Sequence, residues 1–150
     1  MQPSQVRRQI LDDHDKLRGM LSSLEALARA VLAGNRDQAG ALRAEGEALH
    51  ERLLEHMHWE DLYLVPALRE ADAWGEARAA EVERDHREQR ELLGHTLAGL
   101  RDQSRPLAAL ADSLIDLVAL LREDMEQEEQ ASVDARVLRD DVVGIDVEAG

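Results

Sequence analysis

The residues best equipped to do chemistry in this chain are His14 in ILDDHDKL, His56 and Glu60 in HMHWEDLYLVPAL, His86 in ERDHREQRELL, and Asp124 and Glu128 in LLREDMEQEE. All six fall where the surrounding apolar residues recur at helical spacing, on the side of each helix that a core would cover. Burying such groups without partners costs roughly several kcal/mol apiece, and a cation of charge two or more is the simplest compensation. Six donors with carboxylates able to bridge suggest two ions, and imidazole with carboxylate oxygen suits iron, manganese or zinc. The chain has no cysteine, so thiolate zinc sites, iron–sulfur clusters, cysteine nucleophiles and disulfides are excluded.

Four helices have to hold these side chains. The sequence between the few Gly and Pro clusters is rich in Ala, Leu, Glu, Arg and Gln, which favour helix. Ser4 is placed to cap a first helix that stops at Gly34, and Asn35 to cap a second that runs to about Glu70. EADAWG, with Asp72 as candidate cap, and QSRP, with Ser104 before Pro106, mark the next two turns. Long helices joined by short turns predict an all-α, up-down-up-down antiparallel four-helix bundle over residues 1–138, followed by a short extended or disordered tail over 139–150.

The apolar stripes support the bundle. The first helix presents Ile10, His14, Leu17, Leu21, Leu24, Ala28 and Val31, and the second Leu42, Gly46, Leu49, Leu53, His56, Glu60, Tyr63 and Ala67. The third presents Ala79, Val82, His86, Gln89, Leu93, Thr96 and Leu100, and the fourth Leu107, Leu110, Leu114, Leu117, Leu121, Asp124 and Glu128. Antiparallel neighbours lie side by side when the midpoint of their numbers falls in the connecting turn. His14 and His56 have their midpoint at Asn35, His86 and Asp124 at Arg105, and the His56/Glu60 pair with His86 at Asp72, each inside a predicted turn. One residue of error moves a height by only about 1.5 Å, so the six polar residues are expected in one layer. The register LLRED leaves Glu123 as the alternative to Asp124, and the alignment of Glu128 and Glu129 with Glu60 and Asp61 favours Asp124.

At this point the pattern resembles the hemerythrin-like, or HHE, family of four-helix cation-binding domains, over nearly the whole chain to about residue 130. The most specific element is the second helix, where His56, three residues, Glu60, the adjacent Asp61 and then LVPAL follow the family's spacing. The resemblance implies a non-haem di-iron centre held by His14, His56, Glu60, His86 and Glu128. Two departures stand out: Asp124 occupies the place of a fourth-helix histidine, and Arg90 that of a second third-helix histidine of the dioxygen carriers. Extra carboxylates favour the ferric state and disfavour reversible dioxygen carriage. The resemblance therefore points to a di-iron oxidoreductase that reacts with dioxygen, peroxide or nitric oxide or oxidises ferrous iron, or alternatively to a metal- or oxygen-responsive regulatory module without turnover.

Around this core set, Tyr63, Gln89 and Arg90 are placed to support the metal ligands, Tyr63 one turn beyond Glu60 on the same face. For Tyr63 core packing competes with that role. His50, His58 and His95 point away from the stripes and read as surface residues. The formal net charge of -14 argues against nucleic acid and anionic membrane as partners while attracting cations. No signal core and no apolar run of about 18 residues is present, so the expected location is the cytoplasm. No exposed apolar helix face identifies a protein partner.

Overall fold

A computed structural model describes residues 1–141 of the chain. It contains α1 (Pro3–Leu32), a 3-10 turn (Arg36–Gln38), α2 (Ala39–Ala71), α3 (Gly75–Arg101) and α4 (Leu107–Gln130), with no strand among the described residues. The helices form the expected antiparallel bundle: α1 packs on α2 and α4, and α2 on α3, whereas α3 and α4 touch far less.

The helix ends differ in detail from the sequence expectation. α1 begins one residue before Ser4, because Pro3 carries a preset helical φ and Gln2 and Gln5 form a reciprocal capping box. Ser4 instead binds Asp140, its hydroxyl donating at 2.6 Å. After α1 the chain turns through Gly34 at φ 107°, a left-handed conformation that glycine adopts without a Cβ clash. Asn35 then precedes the 3-10 turn, not α2 itself. Asp72 closes α2, with its carboxylate accepting the Trp74 backbone N–H at 2.8 Å. The turn is tight: a Cβ on Gly75 would sit 2.0 Å from the Leu68 carbonyl oxygen. α4 starts after Pro106, and Ser104 bonds Asp102.

Two apolar clusters sandwich the polar layer. The larger, including Leu17, Leu21, Leu24, Leu49, Leu53, Leu93, Leu114 and Leu121, fills the end that holds the 3-10 turn. The smaller joins Val6, Ile10, Leu64, Val65, Leu68, Ala79 and Val82 to Val133 and Leu138 from the segment after α4. That segment covers the bundle end. Arg7 donates to the Val133 carbonyl at 3.0 Å, and Asp140 ties down Ser4, so the chain stays docked past residue 138. The rest of the predicted tail, 142–150, lies outside the described residues.

The stripe on α2 departs from the expected one beyond Glu60. Tyr63 is 40% exposed and Ala67 only partly buried, while Leu64, Val65 and Leu68 are buried. A strict 3.5-residue repeat drifts by about 20° per heptad on a straight helix. Counting from Leu42, three heptads turn position 63 roughly 60° off the core, and position 64 takes its place.

Candidate metal centre

The four residues His14, His56, Glu60 and Glu128 converge at the middle of the bundle, with one potential ligand atom from each lying within 4.8 Å of all the others. They are the adjoining-layer residues of α1, α2 and α4, as the turn midpoints require. His86 joins from α3 through Glu60, whose Oε1 lies 3.0 Å from His86 Nε2 and 3.4 Å from His56 Nε2. One carboxylate oxygen therefore stands between imidazoles of two helices. On the far side His14 Nε2 lies 3.2 Å from Glu128 Oε1.

All three imidazoles are oriented alike. Each turns Nε2 toward the centre and Nδ1 toward a carboxylate outside it: His14 toward Glu129 at 2.6 Å, His56 toward Asp13 at 3.3 Å and His86 toward Asp61 at 2.6 Å. Each of those acids is held in turn by an arginine, Glu129 by Arg18 at 2.8 Å, Asp13 by Arg52 at 3.0 Å and Asp61 by Arg90 at 2.6 Å. A carboxylate anion only accepts, so it holds the proton on Nδ1 and aims the Nε2 lone pair inward. Three arginine–carboxylate–histidine relays thus fix the rings from outside.

The electrostatics describe a site made for positive charge. Burial pushes the Glu128 carboxyl well above its usual range, and the Glu60 charge beside it pushes the same way. For Glu60 burial acts upward, but the bonds to His56 and His86 outweigh it and hold it below the carboxylate range. Burial also works against charge on His56 and His86, yet Glu60, with Asp13 and Asp61 respectively, raises both above the ordinary imidazole value. His14 is lowered by burial despite its bond to Glu129. Without a cation, then, protons on His56, His86 and Glu128 supply the positive charge that two facing carboxylates demand.

The centre fits a metal. Glu60 Oε2 and Glu128 Oε1 are sealed from solvent and make no aligned hydrogen bond, although buried carboxylate oxygens are nearly always satisfied. They face a cavity of about 20 Å³ whose walls include His14, His56, Glu60, Asp124 and Glu128. A single solvent-sized sphere needs roughly 10–15 Å³, so an ion has room. A family comparison decides the rest: the model of the hemerythrin HHE cation-binding domain matches residues 6–133. The chain belongs to that family. No curated protein and no solved structure matches it.

As an HHE domain the chain binds metal cations, and the His/Glu cluster fits the cation site. Of the six expected ligands, the structure gathers His14, His56, Glu60 and Glu128 into one group and attaches His86 through Glu60. Asp124 stands apart: it lines the cavity but is half-buried and accepts from Gln89 Nε2 at 3.0 Å. Glu123 is exposed and bonds Gln127, so Asp124 is the acid of that pair that faces in. Gln89 touches the layer through Asp124, and Arg90 acts on His86 through Asp61. Tyr63 is a correction: its ring lies against Trp59, centroids 4.8 Å apart, with 40% exposure, and does not enter the layer. His58 and His95 are exposed, as expected.

Sequence reasoning missed Asp13, Glu129, Arg18 and Arg52. The available signal was a doubled acid or an acid beside each inward ligand: Asp13 precedes His14, Asp61 follows Glu60 and Glu129 follows Glu128. Each acid serves a histidine on a neighbouring helix, so only the packed bundle shows which ring it holds. No helix among the described residues is long and apolar enough to cross a membrane.

Proposed function

We propose that this chain is a non-haem di-iron protein whose carboxylate-rich centre reacts with dioxygen, peroxide or nitric oxide, or oxidises ferrous iron, without carrying dioxygen reversibly. The observation that carries this reading is a pair of buried oxygens beside a cavity lined by His14 and His56: Glu60 Oε2, which makes no aligned hydrogen bond, and Glu128 Oε1, whose neighbour is His14 Nε2 at 3.2 Å. Glu60 Oε1 lies within reach of both His56 Nε2 and His86 Nε2, so Glu60 would hold metal together with these two imidazoles. When bound, the metal pair supplies electrons one at a time and a coordination position for a small ligand.

The chain's own residues do the rest. The three relays keep Nε2 of His14, His56 and His86 aimed inward, and metal entry releases the protons that otherwise occupy Nε2 of His56 and His86 and the Glu128 carboxyl. Asp124, bonded to Gln89, leaves the α3/α4 side of the cavity without a histidine, where an exogenous molecule has room to approach. Protein from iron-rich growth should hold about two irons per chain and absorb in the near ultraviolet, as a di-iron site requires. Finding no metal, together with a His56→Ala variant as stable as the parent, would sink the proposal. Zinc in place of iron would retain the site and remove the redox chemistry, because zinc does not change oxidation state.

A second reading, a metal-responsive regulatory module, draws on the segment after α4. It leaves the helix just past Glu128 and Glu129 and packs Val133 and Leu138 onto the bundle. A change of charge at those two glutamates is then two turns or less from a docked segment. Limited proteolysis after residue 130, with and without metal, separates the readings: equal cleavage rates dismiss the regulatory one.

A further inference from the structure

The seam between α3 and α4 is the loosest in the bundle, and over the metal centre it opens into a cleft of about 350 Å³. Its charged lining is entirely acidic: Glu81, Asp85, Glu88, Asp124 and Glu128, with no arginine or lysine. Among the described residues the cation nearest these acids is Arg84, 3.8 Å from Glu81 on its own helix and close enough to act on Asp85 as well. An acidic surface alone would mean little on a chain of net charge -14. What lies behind this one is specific. Gln89, Asp124 and Glu128 line both the cleft and the inner cavity, so the two adjoin across these three side chains, and the cavity beyond them is lined by Glu60, 1% exposed with no aligned hydrogen bond to Oε2.

The seam between α2 and α3 offers a contrast. Its groove, about 290 Å³, is lined by Arg69, Arg87 and Arg90 beside Asp61 and Glu83. A hydrated divalent cation meets arginines there, whereas along α3/α4 it meets carboxylates at every step from solvent to Glu60. Clefts lined by one sign of charge concentrate counter-ions and raise association rates.

We infer that the α3/α4 cleft is the entry site for divalent cations, with Asp85 and Glu88 collecting the hydrated ion at the mouth and Asp124 and Glu128 passing it inward past Gln89. The inference rests on the metal-binding reading of the centre and adds its supply route. It also sets a substrate class: cations and uncharged small molecules pass this way, and anions are repelled.

The test is the rate of Co(II) uptake by chelator-treated full-length protein, followed by stopped-flow absorbance, with the final cobalt content measured separately. An Asp85→Asn/Glu88→Gln variant should take up Co(II) about fivefold more slowly at low ionic strength, the difference fading as salt screens the mouth. Its final cobalt content should equal that of the parent. An Asp37→Asn/Glu51→Gln variant, with the same change in net charge at exposed positions away from the cleft, should match the parent rate. Equal slowing of both variants would assign the effect to bulk charge, and no slowing of either would assign entry to another seam. Both results overturn the inference, as does a lower final cobalt content in the cleft variant, which would make these acids ligands. A parent chain that binds no Co(II) would be a failure of the metal-site reading itself, visible in the content measurement before any rate is compared.

Discussion

Glu128→Gln should move the metal-free and metal-loaded proteins in opposite directions. In the absence of a cation Glu128 faces Glu60 with ligand atoms within 4.8 Å. At an effective dielectric of about 20, two unit charges at that distance repel by about 3 kcal/mol. Glu128 avoids most of this by keeping a proton, so the cost near pH 7 is that of holding the proton where the free side chain would have lost it. An amide of the same shape is neutral without having to hold a proton and can donate to Glu60, which stabilises the metal-free protein by about 1–2 kcal/mol, or about 3–6 °C in Tm for a chain of this size. Although the side chain is 19% exposed, Oε1 is sealed, so solvent does little to relieve the site. With metal the sign reverses, because a charged ligand is gone. Loss of an outer hydrogen-bond partner alone weakens metal sites by roughly 10–100-fold, so loss of a ligand should cost at least about 100-fold. Thermal melts by circular dichroism in chelator and in Co(II), with affinity from competition against a calibrated chelator, measure both halves. A variant that is destabilised without metal and keeps its metal affinity would refute the reasoning and make Glu128 an ordinary packed polar residue.

The remaining expectations concern protons, the outer relays and the residue misplaced by the sequence stripe. In metal-free protein the raised groups Glu128, His56 and His86 contribute stability below their unfolded-state values and lose it as pH rises through the folded ones. His14, lowered, and the depressed acids Glu60, Asp61 and Glu129 act only below the ordinary imidazole and carboxylate values. From about pH 6.5 upward every resolved shift at the centre points one way, so Tm in chelator should fall with rising pH, while metal affinity should rise because bound protons no longer compete. A pH series with and without Co(II) in a thermal-shift assay reads both slopes, and a flat or rising chelator series would contradict the assignment. Asp61→Asn should weaken metal binding about tenfold by freeing the His86 ring from Arg90; an affinity equal to the parent's would show that the relay does not position the ring. Tyr63→Phe should leave metal content and absorption unchanged and stability within about 0.5 kcal/mol, and a changed spectrum would place its hydroxyl at the metal after all.

The fold class and the height of the site were legible in the residues because both follow from periodicity. Apolar spacing locates four helices, short turns force antiparallel neighbours, and three midpoints falling in three turns put His14, His56, Glu60, His86 and Asp124 at one level, with Glu128 one helical turn beyond Asp124. A repeat of 3.5 residues nevertheless accumulates angular error against a real helix, which is why Tyr63 appeared on the stripe and stands outside it. The same resolution limit applies to Asp124, which sits beside the buried Met125 at the edge of α4's inner face and is turned toward Gln89.

The candidate donors and their common layer could therefore be read before any packing was known. Residue type and helical spacing act within one element and need no knowledge of its neighbours. Helix packing assigns each acid to its histidine, because Asp13, Asp61 and Glu129 each sit beside one candidate ligand in sequence and serve another across a helix interface. It also decided that α3 and α4 stand apart. The width of a seam depends on how side chains from two helices interlock, a property of pairs that no single stripe contains.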